Sequence, residues 1–227
     1  MEPPARYDGL ANDYETFQQH QAAYYALAES TLRELLGLGP GRCLDLGCGT
    51  GRFLRTLLEL GWTAVGVDVS DDQLRIAREQ VPSAELMRCD AGALPFEDES
   101  FDASISMFTH TDLDDFGGAI REARRVLRSG ARFVYVGNHP CFVGPTQEHL
   151  DTGVPLLHPG YRRSGRWSTS DAPGATPGGW RMRLGSFVHL PLSDFMTDFA
   201  GWEIVELREL DDGWEYPKTL ALAVSKP

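Results

Sequence analysis

Arg42-Cys-Leu-Asp-Leu-Gly-Cys-Gly-Thr-Gly51 runs from a short apolar stretch into a cluster of three alternating glycines. Phe53, Leu54, Leu57, Leu58 and Leu60 then return at helical spacing. The succession reads as a buried strand, a tight loop and a helix. Glycines at that junction let the chain turn sharply and leave backbone atoms bare for a ligand to approach.

Working outward, the unit recurs. Ala64-Val-Gly-Val-Asp-Val69 is a buried strand, and Ser70 with Gln73 forms a capping box for a helix through Leu74, Ala77 and Arg78. Glu85 to Cys89, Phe101 to Met107 and Ala131 to Val136 supply three more strands, with a helix over Phe116 to Leu127 between the last two. Strands alternating with helices imply right-handed crossovers and a mostly parallel sheet covered on both faces. Upstream, residues 14–36 carry one or two amphipathic helices that end at Gly37, Gly39 and Pro40. Downstream, Asn138 to about Ser186 is rich in Pro, Gly, Ser and Thr and shows no period, the mark of a lid or an excursion. A short helix over Ser193 to Phe199 and two strands, Glu203 to Leu210 and Thr219 to Ser225, close the chain as an antiparallel pair at one side of the sheet. The expected fold class is therefore α/β: a doubly wound, seven-stranded sheet with a helical cap at 1–40, a core at 41–138, an insert at 139–188 and a completing unit at 189–227.

The chain has 227 residues, enough for one core and a cap. Apolar residues make up 42% and charged residues 24%, which excludes disordered and fibrous classes. A net charge of −12 disfavours nucleic acid as the partner. Cys43, Cys48, Cys89 and Cys141 show neither C-x-x-C nor paired-histidine spacing, so no metal site is expected and a reducing cytoplasm is the expected compartment. No basic leader and no apolar run of about 20 residues is present, so neither export nor a membrane is expected.

The glycine spacing, D-x-G-x-G-x-G, differs from the dinucleotide fingerprint, which needs a glycine where Arg52 stands. A nicotinamide dehydrogenase is therefore the weaker reading. Asp68 ends the second strand, 21 residues after Gly47, where a carboxylate can accept from both hydroxyls of a ribose. Either feature alone is common in turns; the two in register point to a nucleoside ligand.

Four blocks carry a resemblance: Leu44-Asp-Leu-Gly-Cys-Gly-Thr-Gly51, Gly66-Val-Asp-Val-Ser70, Cys89-Asp-Ala-Gly-Ala-Leu-Pro-Phe-Glu-Asp-Glu-Ser-Phe-Asp102 and Arg121-Glu-Ala-Arg-Arg-Val-Leu-Arg-Ser-Gly130. In this order they resemble the class I S-adenosylmethionine-dependent methyltransferases of small-molecule type. The resemblance implies S-adenosyl-L-methionine as cofactor and S-adenosyl-L-homocysteine as product. It implies that Asp45, Gly47, Gly49 and Gly51 contact the methionine moiety, that Asp68 holds the ribose and that Val69 packs on the adenine. Asp90 and Ala91 would meet the adenine edge, Met107 would lie beneath the sulfonium, and Tyr7 and Tyr14 would close over the carboxylate end. Where the family has Pro-Gly-Gly after the helix, this chain has Ser129-Gly130-Ala131, a departure that touches the turn and not the cofactor.

An oxygen or nitrogen acceptor must lose a proton, and His110 and His139 stand just past the fourth and fifth strands as candidate bases, or equally as loop caps. His189 resembles a substrate-side position in small-molecule members of the family. Within the insert Arg162, Arg163 and Arg166, with Arg181, Arg183, Tyr161, Trp167 and Trp180, suggest a planar, anionic small-molecule substrate, or else a solvated basic loop. The expected activity is O-, N- or C-methylation of a biosynthetic small molecule. A cofactor-binding module that transfers no methyl, or promotes another rearrangement, is the alternative.

Overall fold

A computed structural model describes residues 5–149, 155–175 and 180–227. Two helices, α1 (Ala11–His20) and α2 (Ala22–Leu36), lead into β1 (Arg42–Leu46), α3 (Arg52–Glu59), β2 (Thr63–Asp68), α4 (Asp71–Gln80), β3 (Glu85–Arg88), β4 (Phe101–Met107), α5 (Phe116–Val126) and β5 (Leu127–Asn138). After the insert come α7 (Leu192–Thr197), β10 (Glu203–Glu209) and β11 (Thr219–Ser225). The seven long strands lie in the order β10-β11-β5-β4-β1-β2-β3. β5, β4, β1, β2 and β3 run parallel, and β11 runs antiparallel between β5 and β10. This is the doubly wound sheet expected from the alternation of elements.

Period-two alternation along the strands divides the core into two layers. Val134 and Val136 of β5 face a layer with Leu32 and Leu35 of α2 and Leu54 and Leu57 of α3. Phe133 and Tyr135, one residue out of phase, face the other layer with Ile120 and Ala123 of α5 and Phe195 of α7. Ser70 caps α4 by accepting from the Gln73 amide at 3.3 Å, as its spacing predicts. The chain passes from β1 to β2 and β3 on one side, then returns to β4 on the other. The order reverses at the carboxyl ends of β1 and β4, the crevice where ligands bind in open α/β sheets.

Two stretches differ from the sequence-based expectation. The helix over 116–127 ends at Val126, and β5 begins at Leu127, well before Ala131. Leu127 pairs with Phe101, the register then slips so that Arg132 pairs with Ala103, and Gly130 takes φ +77° inside the irregularity. Pairing partners 26 or more residues away set this start, and no local period records it. The insert is not aperiodic either. β6 (Gln147–His149) pairs with β7 (Pro155–Leu157), β8 (Gly165–Ser168) pairs with β9 (Ser186–His189), and α6 (Trp180–Leu184) lies between the last two. Strands of three and four residues are too short for alternation to register. The parts of the expected insert at 150–154 and 176–179 lie outside the described residues. Among the described residues no helix is long and apolar enough to cross a membrane.

Candidate active site

The glycine loop sits at the crevice. Gly47 has φ +72°, and a Cβ there would come within 2.8 Å of Thr109 Cγ2, so the backbone turns where a side chain has no room. The Gly47 and Cys48 amides donate to the Val67 carbonyl at 2.9 and 3.0 Å. Asp68 at the end of β2 braces the loop: Oδ2 accepts from the Gly49 amide at 3.0 Å and Oδ1 from the Ser70 amide at 2.9 Å. Burial raises the Asp68 pKa, opposed by its backbone N–H partners. Past β3, Asp90 Oδ1 accepts from the Gly92 amide at 2.8 Å.

These groups wall a cavity of about 720 Å³, together with Tyr7, Tyr14, Val69, Ala91 and Met107. Of the residues named for the cofactor from sequence, Asp45 and Gly51 stand apart from this wall. A Cβ on Gly51, whose φ is +89°, would press on Ala77 and Val81 at 3.2 to 3.3 Å, so that glycine serves the contact between the loop and α4. Asp45 lies in β1 beneath the loop, 1% exposed, with both carboxylate oxygens lacking a partner. Burial, reinforced by Asp68, pushes its pKa up to about 8. The buried Thr50 hydroxyl and the Gln73 side-chain amide are unpartnered too. Unsatisfied buried acceptors under the loop, two ordered carboxylates on the rim and bare glycine backbone suit a ligand carrying an ammonium, a diol and a nitrogen-rich ring. S-adenosylmethionine has that set.

A second cavity of about 710 Å³ adjoins the first. Tyr7, Tyr14, Phe108 and Asp112 belong to both walls. Its sides are aromatic: Trp180 of α6 sits with ring centres 5.2 Å from Tyr14 and 5.5 Å from Phe17, while Phe108 lies 5.3 Å from Tyr24 and 5.2 Å from Tyr25. Phe108 takes φ +60°, an uncommon backbone state for a bulky residue, at the seam between the cavities. Asp112 ties the seam together. It pairs with Arg181 of α6 at 2.8 Å and with Arg6 of the N-terminal segment at 3.6 Å. Arg181 also donates to the Thr111 hydroxyl.

His110 and His139 lie just past β4 and β5 and His189 ends β9, but none is among the residues lining either cavity. His110 is 1% exposed, bonded through Nδ1 to the Tyr135 hydroxyl and enclosed by Phe116 and Phe195. Desolvation drives its pKa down to about 3. His139 Nε2 pairs with Glu209 at 3.0 Å, Nδ1 accepts from the Cys141 amide at 3.1 Å, and burial lowers its pKa. His189 Nε2 donates to the Tyr161 carbonyl at 2.7 Å. Arg166 lines the cofactor-side cavity and pairs with Asp114, whereas Arg162 is exposed and Arg163 stacks on Trp167 at 4.3 Å. Lys218, Asp212, Tyr24 and Trp214 line the second cavity, and no spacing in the sequence marked them.

The His110 environment carries an expected outcome. Below pH 6.5 the unfolded chain binds a proton at this ring that the folded chain refuses down to about pH 3. Folding stability is therefore present above 6.5 and falls by about 1.4 kcal/mol per unit as pH drops through that window. His110→Gln should lower stability by about 1–3 kcal/mol at neutral pH through the lost Tyr135 partner and flatten the acid limb. Chemical denaturation at pH 4, 5, 6 and 7 reads both effects, and an unchanged acid limb would refute the assignment.

Residues 44–135 match the family model described as "Methyltransferase domain". Among curated proteins, the chain is 37% identical over 117 residues to a demethylmenaquinone methyltransferase of Tropheryma whipplei, covering 49% of each chain. It is 36% identical over 136 residues to a malonyl-[acyl-carrier protein] O-methyltransferase of Methylococcus capsulatus, covering 57% of this chain and 46% of that one. The match thus spans about half the length of these curated relatives. Among solved structures, an S-adenosylmethionine dependent methyltransferase from Mesorhizobium loti superposes with a TM-score of 0.70 at 21% identity, over 88% of this chain and 96% of that one. At that identity the likeness speaks to the fold.

Proposed function

We propose that the protein, whose residues 44–135 match a methyltransferase-domain model, transfers a methyl group from S-adenosylmethionine to a small, planar acceptor in a biosynthetic pathway. One observation carries the reading: the cavity over the glycine loop and the aromatic cavity share Tyr7, Tyr14, Phe108 and Asp112 as their common wall. Bound in the first cavity, the cofactor supplies an electrophilic methyl on a good leaving group.

The protein's part is alignment and exclusion of water. Met107 ends β4 on the cofactor side, Phe108 follows it at the common wall, and Tyr7 and Tyr14 cover that wall from the N-terminal side. Holding acceptor and donor in line there removes most of the entropic cost of their encounter. Asp112 at this wall is engaged by two guanidiniums, and His110, His139 and His189 are turned into other contacts, which favours catalysis by positioning over a resident imidazole base. The planar character of the acceptor is supported by the stacked aromatic walls. Its anionic character draws less support, because Arg166 and Arg181 are already paired with Asp114 and Asp112. Unpaired thiols at Cys43, Cys48, Cys89 and Cys141 suit action in the cytoplasm.

Incubation with methyl-labelled S-adenosylmethionine and a panel of hydroxylated and aminated aromatic acceptors tests the proposal. Label should appear in an acceptor with an equal yield of S-adenosylhomocysteine. Cofactor binding without transfer to any member would favour the binding-module alternative.

A further inference from the structure

We propose that the end of the aromatic cavity remote from the cofactor is a recognition subsite for a neutral group that both accepts and donates a hydrogen bond, a hydroxyl or primary amide on a planar acceptor about two rings long. Lys218 is its donor and Asp212 its acceptor. The inference rests on the reading of this cavity as the acceptor site and specifies what its far end selects.

Lys218 and Asp212 line the aromatic cavity but are not among the residues lining the cofactor-side one, so they lie away from the common wall. Sheet topology fixes how far. Thr219, which begins β11, pairs with Asn138 of β5, and Val136 of β5 pairs with Met107 of β4. Neighbouring strands are about 4.8 Å apart, so two strand spacings put the subsite on the order of 10 Å from the end of β4. A ligand reaching both places has the length of a fused bicycle or a para-substituted ring.

The polar groups there are held but incomplete. The Lys218 amide donates to Asp212 Oδ2 at 3.0 Å, and the Lys218 carbonyl accepts from the His139 amide at 2.8 Å, so its backbone is anchored on both sides. Its ammonium rests on the Trp214 ring, 2.8 Å from the centre, and makes no ion pair among the described residues. Partial burial draws its pKa down to about 8, against the pull of Asp212. Asp212 Oδ2 also accepts from the Thr219 hydroxyl at 3.2 Å, whereas its Oδ1 is buried and has no partner. A donor without an acceptor and an acceptor without a donor thus share one end of an aromatic slot. Half-buried groups in that state bind ligands that complete them.

Charge selects among such ligands. Asp211 and Asp212 stand at this end with Lys218 against them, since Arg181, which also lines the cavity, is paired with Asp112. A carboxylate would meet one cation and two anions, and a lone ammonium would face Lys218. A hydroxyl or amide satisfies both open valences and adds no charge.

The experiment titrates three probes by calorimetry into the full chain saturated with S-adenosylhomocysteine: 2,6-dihydroxynaphthalene, 2-naphthol and 6-hydroxy-2-naphthoate. The diol should bind at least about tenfold more tightly than 2-naphthol, and the acid no more tightly than 2-naphthol. Lys218→Met and Asp212→Asn should each erase the diol's advantage, Lys218→Arg should retain part of it, and all three should leave S-adenosylhomocysteine affinity within about twofold. Equal binding of diol and 2-naphthol, a preference for the acid, or no binding of the diol while S-adenosylhomocysteine binds normally would overturn the subsite alone. Failure of S-adenosylhomocysteine itself to bind would overturn the underlying functional reading as well.

Discussion

Replacing Asp68 by alanine is expected to weaken S-adenosylhomocysteine binding by roughly 30- to 700-fold. The carboxylate is ordered by two backbone amides, at Gly49 and Ser70, and faces the cavity at the end of β2. Two charge-assisted hydrogen bonds to a ribose diol, discounted for exchange with water, together contribute about 2–4 kcal/mol, and each 1.4 kcal/mol is about a factor of ten in affinity. The alanine variant also frees the Gly49 amide of the glycine loop and the Ser70 amide at the start of α4, so ligand-free stability must be measured beside affinity. Asp68→Asn retains the shape and an amide oxygen, and it should keep most of the loop's stability while losing the charge-assisted part of binding. Calorimetric titration of the three proteins decides the matter, and affinity unchanged in the alanine variant would remove Asp68 from the site.

Asp45 should make the ligand-free protein less stable as pH rises. Its folded pKa is raised from 3.8 to about 8 by burial, so between those values the folded chain holds a proton that the unfolded chain has lost. Stability is complete below about pH 4 and declines by about 1.4 kcal/mol per unit until the folded group ionises near pH 8. Between pH 5 and pH 8 the wild-type protein should lose on the order of 4 kcal/mol relative to Asp45→Asn, which has no titration there. The difference between the two proteins cancels other groups, including His110, whose contribution has the opposite slope. A ligand ammonium held over the glycine loop, above Asp45, favours the carboxylate through space, so S-adenosylhomocysteine should bind with release of about one proton at pH 7. Titrations in buffers of unlike ionisation enthalpy measure that proton. Identical pH profiles for wild type and variant, or no proton released, would refute a neutral, buried Asp45.

The residues that wall the first cavity could be picked out from the chain because they are local. Gly47, Gly49 and Asp68 lie within one strand-loop-helix-strand unit, where each residue's role follows from the turn it makes. Even there, local reading reached its limit at Gly51 and Asp45. It could not tell a glycine required by the packing of Ala77 and Val81 from one required by a ligand, nor a carboxylate on the cavity wall from one beneath it.

Side-chain direction past the strand ends was less legible. His110 and His139 do follow β4 and β5, but Tyr135, Phe116 and Phe195 enclose the first ring and Glu209 engages the second. Those neighbours come from β5, α5, α7 and β10, and no spacing near the histidines announces them. The arginines of the insert illustrate the same limit. Arg181, which composition does not distinguish from Arg162 and Arg163, is the one that lines the aromatic cavity, because α6 presents it to Asp112 and Thr111.

The order of strands and helices, the parallel sheet and the glycine loop with its downstream acid are consequences of hydrophobic period and backbone stereochemistry, which act over a few residues and are therefore written in the chain. The aromatic cavity is assembled from the N-terminal segment, α1, α2, α6, the end of β4 and the turn before β11, segments separated by as much as about 210 positions. Which of their side chains share a wall follows from packing across the sheet, a relation between distant segments that only the folded molecule contains.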